Sequence, residues 1–500
     1  SFPNLFCYRL GFFLYVCPKV LRMIVWGLFD NVFSTVISLL FLFTVVSTII
    51  VIVMDNRNPF KTLSWVMVLV FLPVLGLVLY YFFGRDTRKE KLISRKGFER
   101  LSRHPMHEFQ RQKSLLVSEG QSQLMRFCHQ VNGSLPFDGN SIQVYSDGYA
   151  MLAAVLKSIS QAKHHIHIQF YIFEDDAVGY LVRDALMDKA REGVEVRVLY
   201  DDVGCWKVSH LFYDEMREAG IEVRGFLKVR FPRFTSKVNY RNHRKVIVID
   251  GKVGFIGGMN IALRYLKGVS WGIWKDTFMQ VDGKAVYGLQ TAFLTDWYAT
   301  DHSLITSSAY FPEMDAYGDS LMQIVTSDPI GKWHDIMQGL LLAITSAVRS
   351  IYIQTPYLLP TEPVLLALKT AALSGIDVRV MIPYKADAKL VHWGTKSYLE
   401  ELMEAGVKIY LYKKGFLHSK LMVCDDAFST IGSTNMDFRS FEHNFEINAF
   451  MYDCTSALIL KEIFLSDQKD AELLHLKEWR MRPWYQKVME SVIRLFAPLL

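Results

Sequence analysis

The sequence offers little cysteine chemistry. Its six cysteines include no Cys-x-x-Cys pair and no other spacing typical of zinc ligands. They are Cys7, Cys17, Cys128, Cys205, Cys424 and Cys454. This scatter provides neither a disulfide framework nor a metal cluster, and it is typical of reduced thiols in the cytoplasm.

Charged residues are missing from two stretches near the N-terminus. Residues 31–54 contain none over 24 positions, and residues 62–84 contain none over 23. Each stretch exceeds the ~20 residues that a helix needs to cross a bilayer. A pair of buried core helices is the alternative, but uncharged runs of this length are rare in soluble cores. Because the link 55–61 has only seven residues, we expect a tight two-helix transmembrane hairpin.

Lysine and arginine decide the orientation of such a hairpin, because they concentrate on the cytoplasmic side. The link carries two of them, whereas eight follow the second apolar stretch: Arg85, Arg88, Lys89, Lys91, Arg95, Lys96, Arg100 and Arg103. We therefore expect residues 85–500 and the N-terminus to lie in the cytoplasm. Residues 1–30 are apolar but broken by cations and Pro18, which favours an interfacial or re-entrant segment over a third span.

The chain also lacks an excess of positive charge outside its N-terminal part. Residues 1–104 hold 13 Lys and Arg against 5 Asp and Glu, a net charge of +8, whereas the remaining residues have a net charge of −2. A nucleic-acid-binding domain would carry the basic excess itself. The charge distribution instead suits an anionic membrane surface as the partner and argues against nucleic acid.

Strands and helices alternate through the rest of the chain in two similar series. Each series has a strand-like run, a helical stretch and a second strand-like run: 165–173, 177–191 and 194–200, then 350–359, 362–374 and 376–384. Matched points lie 182 to 186 residues apart, which indicates an internal duplication. The alternation predicts an α/β fold with a mainly parallel sheet and helices on both faces.

One sequence pattern occurs once in each half. It reads His-x-Lys, four residues, Asp, six residues, Gly-(Gly/Ser)-x-Asn. The two copies are His243, Lys245, Asp250, Gly257, Gly258 and Asn260, and His418, Lys420, Asp425, Gly432, Ser433 and Asn435. They lie 175 residues apart, at equivalent positions of a duplicated chain. Two full matches at equivalent positions would rarely arise by chance, which indicates a shared function for the two copies.

Each copy brings three functional groups towards one point. A His and a Lys two residues apart on a strand project from the same face. The small residues let the backbone approach closely, and the following Asn can donate its amide to the same point. An imidazole, an ammonium group and a carboxamide together make half of a phosphoryl-transfer site.

Two copies complete such a site. One histidine attacks phosphorus, while the other protonates the leaving alcohol and later deprotonates the incoming one. The remaining charge on the phosphoryl oxygens would be stabilised by Lys245, Lys420, Asn260 and Asn435. Because side chains supply the cations, no metal and no other cofactor is required. Asp250 and Asp425 complete the catalytic motif, but we expect them to close their hairpins through salt bridges or turn hydrogen bonds.

The doubled pattern resembles the HKD motif of the phospholipase D superfamily. The resemblance implies a covalent phosphohistidine at His243 and an acid and base at His418. It also implies a carboxylate downstream of each motif that orients the histidine. Glu446, in NFEINAF, fits this place in the second half, and Asp276, in WKDTFM, in the first. Gly258 and Ser433 complete this supporting set.

The segments outside the repeats narrow the resemblance. The run NPFKTLSWVMVLVFLPVLGLVLYYFFGR and the end PWYQKVMESVIRLFAPLL resemble bacterial cardiolipin synthases of the phospholipase D type. That resemblance implies transfer of a phosphatidyl group from one phosphatidylglycerol to a second, giving cardiolipin and glycerol. It also implies a multi-pass protein of the bacterial inner membrane, with the catalytic domains on the cytoplasmic side. Self-association of the chain stays open.

Two other functions compete with this interpretation. A membrane-bound phospholipase D that releases phosphatidic acid uses the same residues, and differs in water exclusion and acceptor binding. A membrane scaffold without activity, or a nuclease of the same fold, is the third alternative. The intact histidines argue against the scaffold, and the net charge of −2 argues against the nuclease.

These observations predict six segments. They are an interfacial segment (1–30), the transmembrane hairpin (31–84), a basic juxtamembrane linker (85–135), two phospholipase D-like domains (136–325 and 326–482) and an amphipathic helix (483–500). The two repeats should form a pseudo-twofold pair of mixed, mainly parallel sheets flanked by helices. The final helix either lies on the bilayer or packs on the domain.

Overall fold

The computed structural model of the protein describes residues 34–54, 59–80, 119–229 and 239–497. These residues belong to two compact units, Ser1–Arg85 and Asp86–Leu500. The interfacial segment predicted over residues 1–30 and the basic cluster between Arg85 and Arg103 lie outside the described residues.

Among its described residues, the N-terminal unit contains one apolar helix of spanning length. Helix α1 (Ser34–Met54) has 21 residues and a mean hydropathy of 2.9, so its length and composition suffice to cross a bilayer. The second apolar stretch forms two helices, α2 (Pro59–Phe71) and α3 (Pro73–Leu79). Proline disfavours the helical conformation in the residue before it, and Leu72 breaks the helix there. The second apolar stretch is therefore divided into two helices at Leu72, and the two-helix transmembrane hairpin stays a prediction.

The second unit begins with a helix that packs into its core. Helix α4 (Glu119–Asn132) lies in the segment assigned to the juxtamembrane linker. Its Leu124, Met125 and Cys128 share a core with Ile336 and Leu340. The end of the predicted linker therefore belongs to the folded unit.

The remaining elements follow in chain order. The first half contains β1 (Phe137–Tyr145), α5 (Gly148–Gln161), β2 (His165–Phe170), α6 (Ala177–Arg191), β3 (Glu195–Asp201), α7 (His210–Glu218), β4 (Glu222–Phe226), β5 (Arg241–Asn242), β6 (Val246–Ile249), β7 (Val253–Gly257), α8 (Arg264–Lys267), β8 (Ile273–Lys275), β9 (Phe278–Asp282) and α9 (Val286–Asp301). The second half contains β10 (Ser320–Ser327), α10 (Asp335–Ser346), β11 (Ser350–Gln354), β12 (Leu358–Leu359), α11 (Glu362–Leu373), β13 (Asp377–Pro383), α12 (Lys389–Glu404), β14 (Lys408–Tyr412), β15 (Gly415–Leu417), β16 (Leu421–Cys424), β17 (Phe428–Gly432), β18 (Met436–Asp437), α13 (Phe438–Glu442), β19 (Asn444–Met451), α14 (Cys454–Gln468), β20 (Ala471–Leu473), α15 (Leu476–Arg480) and α16 (Trp484–Phe496).

One sheet of 16 strands runs through both halves. Its order is β20-β14-β13-β11-β16-β17-β19-β10-β1-β9-β7-β6-β2-β3-β4, and β5 pairs with β19. Strands β2, β3 and β4 are parallel, as are β11, β13 and β14, whereas the strands between these groups pair antiparallel. The prediction of a pair of mainly parallel sheets is therefore wrong. The crossover helices make the outer strands parallel, but each motif forms a hairpin, which requires antiparallel neighbours.

The C-terminal helix α16 attaches to α12 through one face. Ile493 and Glu490 are buried, and Arg494 pairs with Glu401 of α12 at 2.6 Å. Three apolar residues of this helix, Val488, Val492 and Leu495, are exposed. The helix therefore turns an apolar face outward.

The motif aspartates hold the turns of their hairpins. Asp250 lies between β6 and β7 with a left-handed backbone at φ 53°. Its carboxylate accepts hydrogen bonds from the backbone amides of Lys163 (2.9 Å), His164 (2.7 Å) and His165 (2.9 Å), at the start of β2. Instead of the predicted salt bridge or turn hydrogen bond, the carboxylate forms three hydrogen bonds to the start of the neighbouring strand. We call this set of bonds the aspartate clamp.

Asp425 makes the same clamp in the second half. Its carboxylate accepts from the amides of Val348 (2.7 Å), Arg349 (2.7 Å) and Ser350 (2.8 Å), at the start of β11. Each aspartate follows the motif strand at the end opposite to the histidine. Both carboxylates hold backbone amides, which agrees with the expectation that these residues close their hairpins.

We predict that Asp250→Asn destabilises the fold by about 1–3 kcal/mol, because it removes the charge from a cluster of three amide hydrogen bonds. Asparagine tolerates a left-handed backbone, so the substitution adds little strain. Thermal unfolding of the detergent-solubilised protein measures the effect. Asp138→Asn, at an exposed position, is the control, and equal stability of the two variants would contradict the clamp.

Candidate active site

Strand pairing between the two halves places both motif histidines. Strand β5, which precedes His243, pairs with Asn444 and Phe445 of β19, and the backbone amide of His243 donates to Phe445 O at 2.9 Å. Strand β15, which precedes His418, pairs with β8, and the amide of His418 donates to Lys275 O at 2.6 Å. Each histidine therefore enters the site along a strand of the other half.

The carboxylates orient the histidines crosswise. His243 Nδ1 lies 3.0 Å from Glu446 Oε1, and His418 Nδ1 lies 2.6 Å from Asp276 Oδ2. The sequence assigned Asp276 to the first histidine and Glu446 to the second, and the structure reverses this assignment. Both acids follow their own motif in sequence, but each lies beside the strand that carries the other half's histidine.

Gly258 and Ser433 occupy equivalent places beside these carboxylates. A Cβ atom on Gly258 would lie 2.2 Å from Asp276 Oδ1, so the glycine makes room for that carboxylate. The hydroxyl of Ser433 donates to Glu446 Oε2 instead. The Gly/Ser difference between the two motifs thus corresponds to two ways of holding a buried acid.

The two histidines are neutral in this environment. Burial, with Lys245 and Lys420 nearby, lowers the pKa of His243 to about 4, although Glu446 opposes the shift. Burial and Lys420 lower the pKa of His418 to about 3 against the opposing effect of Asp276. Nδ1–H of each ring donates to a carboxylate, which leaves Nε2 with a lone pair. Burial raises the pKa of Glu446, but His243 and Lys245 outweigh it, so the net shift is downward.

The motif lysines are buried beside their histidines. Lys245 Nζ donates to His243 O at 2.5 Å, and Lys420 Nζ donates to His418 O and lies 2.9 Å from His418 Nδ1. Burial lowers the pKa of Lys420 to about 8 and that of Lys245 well below its usual value. An anion entering the site would favour the charged form of both lysines.

Both histidines line one cavity of about 310 Å³, together with Asn260 and Asn435. Asn260 Oδ1 accepts from the amide of Ile172 at 3.1 Å, and its Nδ2 donates to Tyr265 Oη at 2.7 Å. Asn435 Nδ2 donates to Asp437 Oδ2 at 3.2 Å. The structure therefore brings both asparagines to the cavity. Both ends of the Asn260 amide are bonded to protein, whereas Asn435 Oδ1 has no hydrogen-bond partner among the described residues.

The sequence reasoning missed several residues of the cavity wall. The Tyr171 ring is perpendicular to His243 with 5.0 Å between centroids, and Trp274 lies 5.4 Å from His418. Other wall residues are Arg241, Arg264, Tyr357, Asp387, Asp437, Arg439 and Asn444. Tyr171 and Tyr357 follow the first strand of each βαβ unit, where ligands gather in α/β folds, so their position carried a usable signal. No sequence signal pointed to Arg439 and Asn444, because they reach the cavity through the pairing of strands between the two halves.

A metal site is not formed by the residues that the structure describes. Within residues 34–54, 59–80, 119–229 and 239–497, no three or more His, Cys, Asp and Glu side chains cluster as metal ligands would. The groups that surround the cavity are imidazoles, ammonium groups, carboxylates and amides. This set can attack a phosphorus atom, move protons and hold an anion.

Two family models match the chain. The model described as "Cardiolipin synthase, PLD-like domain" matches residues 155–286 and 340–468. The model described as "Phospholipase_D-nuclease N-terminal" matches residues 39–85. Together with the apolar helix α1, this N-terminal match indicates that the chain associates with a membrane.

The chain is also similar to curated proteins along most of its length. It is 42% identical to a cardiolipin synthase of Halalkalibacterium halodurans over 474 residues, which cover 93% of each chain. It is 39% identical to the major cardiolipin synthase of Bacillus subtilis over 481 residues, which cover 94% of this chain and all of the relative.

A solved structure has the same fold. The phosphatidylserine synthase of Haemophilus influenzae superimposes with a TM-score of 0.59 at 14% identity, and covers 75% of this chain and 98% of its own. The duplicated motif, the shared cavity and the matches over nearly the whole length agree with one another. The chain is an enzyme that belongs to the family of phospholipase D-like cardiolipin synthases.

Proposed function

We propose that this chain joins two molecules of phosphatidylglycerol into cardiolipin and releases glycerol, with His243 as the nucleophile and His418 as the acid and base. The observation that carries the proposal is the pair of imidazoles in one cavity, each held at Nδ1 by a carboxylate of the other half. This arrangement leaves two Nε2 atoms for one phosphorus.

The first step transfers the phosphatidyl group to the protein. His243 Nε2 attacks the phosphorus of the donor, and the bond between phosphorus and the glycerol oxygen breaks. The leaving oxygen takes a proton from His418. His418 has a pKa of about 3 without substrate, but the negative phosphodiester favours the imidazolium form, so substrate binding charges the acid.

The second step regenerates the enzyme. His418, now neutral, removes the proton from a hydroxyl of the second phosphatidylglycerol, and the hydroxyl oxygen attacks phosphorus. The bond from phosphorus to His243 Nε2 breaks, and the nitrogen recovers its lone pair. Atoms and charge balance, because one glycerol leaves for each cardiolipin formed.

The site would act between two halves related by a pseudo-twofold axis. The strand order supports this symmetry, since it reads equivalently outward from the central pair β10 and β1. Each half contributes an antiparallel group with the motif hairpin and an outer parallel group. Two equivalent histidines then approach one phosphorus from opposite sides.

The membrane arrangement is proposed on three grounds. In the N-terminal unit, Ile52 of α1 packs with Trp65 and Leu69 of α2, as expected for a hairpin that spans the membrane. The cations after residue 84 support a cytoplasmic position for the catalytic unit. The outward apolar face of α16 supports contact of this helix with the lipid surface.

The reaction is tested with purified protein in vesicles that contain only phosphatidylglycerol. We expect cardiolipin and glycerol to appear in equal amounts, and neither product with His418→Ala, because that variant lacks the acid and base. Chromatography of the lipids and an enzymatic glycerol assay measure both products. Phosphatidic acid without cardiolipin would show that water is the acceptor and that the chain is a hydrolase.

The separate roles of the histidines are tested with a donor that has a nitrophenol headgroup, which leaves without a proton. We expect His418→Ala and Asp276→Asn to release up to one nitrophenol per enzyme and then stall as the labelled phosphoenzyme. We expect His243→Ala to give no labelled enzyme and Glu446→Gln to form it slowly, because Glu446 holds the nucleophile. Absorbance measures the nitrophenol released in the burst, and the label trapped on the protein measures the phosphoenzyme. The crosswise pairing would be contradicted if Asp276→Asn formed the phosphoenzyme slowly while Glu446→Gln formed it at the normal rate.

The buried lysines should stabilise the phosphoryl charge in the transition state. We expect Lys245→Met and Lys420→Met each to cost about 3–4 kcal/mol of transition-state stabilisation, as for the loss of one oxyanion donor. Methionine keeps the apolar stem and its packing. Initial rates of cardiolipin formation measure the effect against Lys157→Met, an exposed control on α5. Near-normal rates in either variant would remove that lysine from the mechanism.

A further inference from the structure

The cavity wall carries three arginines beyond the two motifs. Arg241 donates to Asp201 Oδ1 at 3.2 Å, and Arg264 pairs with Glu174. Arg439 also lines the cavity, but its guanidinium donates to Asn239 Oδ1 and Asn239 O, both at 3.1 Å. Within the part of the chain that the structure describes, no carboxylate forms an ion pair with Arg439. The hydrogen-bond partners that the described residues give this guanidinium are therefore neutral, although Asp387 and Asp437 line the same cavity.

The position of Arg439 is fixed across the two halves. Arg439 belongs to α13, which leads directly into β19, while Asn239 precedes β5 and the nucleophile His243. Strands β5 and β19 pair with each other. The Arg439 guanidinium is thus held by neutral oxygens beside the strand that precedes His243. Its positive charge can attract an anion.

A second polar group lies on the same wall. Asn444 is 6% exposed and lines the cavity, and its Nδ2 donates to Glu446 Oε1 at 3.1 Å. That bond fixes the amide so that Oδ1 points away from the carboxylate, and among the described residues Oδ1 has no hydrogen-bond partner. A buried oxygen without a partner is costly, and a hydroxyl group of a bound ligand would satisfy it.

These two groups match the two functional parts of the acceptor in the proposed reaction. A phosphatidylglycerol acceptor carries one anionic phosphodiester and a glycerol headgroup with two hydroxyls, of which the terminal one attacks. We propose that Arg439 binds the phosphodiester of this second lipid while Asn444 Oδ1 accepts a hydrogen bond from the other headgroup hydroxyl, so that the proton of the attacking hydroxyl is left for His418. This inference rests on the proposed function and assigns the acceptor subsite of the same cavity.

The subsite acts only in the second step. The donor phosphate is bound to His243, and the acceptor phosphate stays intact on Arg439. The acceptor hydroxyl loses its proton to His418 Nε2 and forms the new bond to phosphorus as the bond to His243 breaks. Arg439 and Asn444 therefore position the acceptor and take no part in the covalent change.

Two acceptors separate this role from a role in donor binding or folding. Phosphatidylglycerol needs both parts of the subsite, whereas free glycerol has hydroxyl groups and no phosphate. Free glycerol attacks the same phosphohistidine in the reverse of the first step and exchanges the headgroup of the donor. A variant that lacks only the acceptor phosphate site should lose cardiolipin formation and keep glycerol exchange.

The experiment uses the full chain in vesicles of phosphatidylglycerol diluted in phosphatidylcholine. Radiolabelled glycerol incorporated into phosphatidylglycerol measures exchange, and labelled lipid measures cardiolipin. We expect Arg439→Gln to lower the rate of cardiolipin formation about 10- to 100-fold, the loss of one charged hydrogen bond, and to change exchange less than about 2-fold. Arg439→Lys should recover part of the lost rate of cardiolipin formation, because lysine keeps the positive charge but lacks the paired N–H groups of the guanidinium.

Asn239→Ala is the second variant, because it loosens the guanidinium without removing its charge. It should lower cardiolipin formation more than glycerol exchange, as Arg439→Gln does, but to a smaller extent. The control Arg191→Gln, on the surface of α6, should leave both rates unchanged. Equal loss of both rates in Arg439→Gln and Asn239→Ala, or no loss in either, would overturn the acceptor subsite. Failure of the wild-type chain to make cardiolipin or exchange glycerol would instead overturn the proposed function.

Discussion

The structure depends on the hydrogen bond between each motif histidine and a carboxylate of the other half. Two imidazoles and two lysines are buried around one cavity, and a buried ammonium charge without a nearby carboxylate is costly. Glu446 and Asp276 supply two negative charges at the same place and fix the tautomer of each ring. The strand pairs β5–β19 and β8–β15 exist at the seam that these contacts cross. Neither half holds a complete site without the other.

This interdependence explains the continuous sheet. If each repeat folded around its own histidine and acid, two separate sheets would suffice. Because each acid serves the histidine of the other repeat, the halves must be held in a fixed register, and β10 provides it by pairing with both β1 and β19. The motif aspartates contribute at the far end of the hairpins, where they fasten the turns to β2 and β11. Catalytic geometry at one end thus rests on backbone hydrogen bonds at the other.

The sequence predicted the features of the fold that depend on neighbouring residues or occur in both halves. The motif positions, the alternation of strands and helices and the first apolar helix follow from spacing and composition, and the structure has them. The crosswise assignment of Glu446 and Asp276 could not be read, since sequence distance does not distinguish a contact within a repeat from one between repeats. The break at Leu72 was readable, because Pro73 interrupts an otherwise apolar run. Arg439 and Asn444 share the cavity only through the pairing of β5 with β19, which involves two residues of each strand.

The division between lipid synthesis and hydrolysis lies outside the motifs. Water reaches any open phosphohistidine, so an acceptor lipid prevails only if binding places its hydroxyl at phosphorus, and such placement is worth effective concentrations of about 10⁵–10⁸ M. The two histidines and two lysines treat water and alcohol alike. Arg439, which is bonded to neutral oxygens among the described residues, would discriminate between them as proposed, because only the lipid acceptor carries a phosphate. In this fold the chemistry follows from the duplicated motif, and the product follows from what the cavity wall binds beside it.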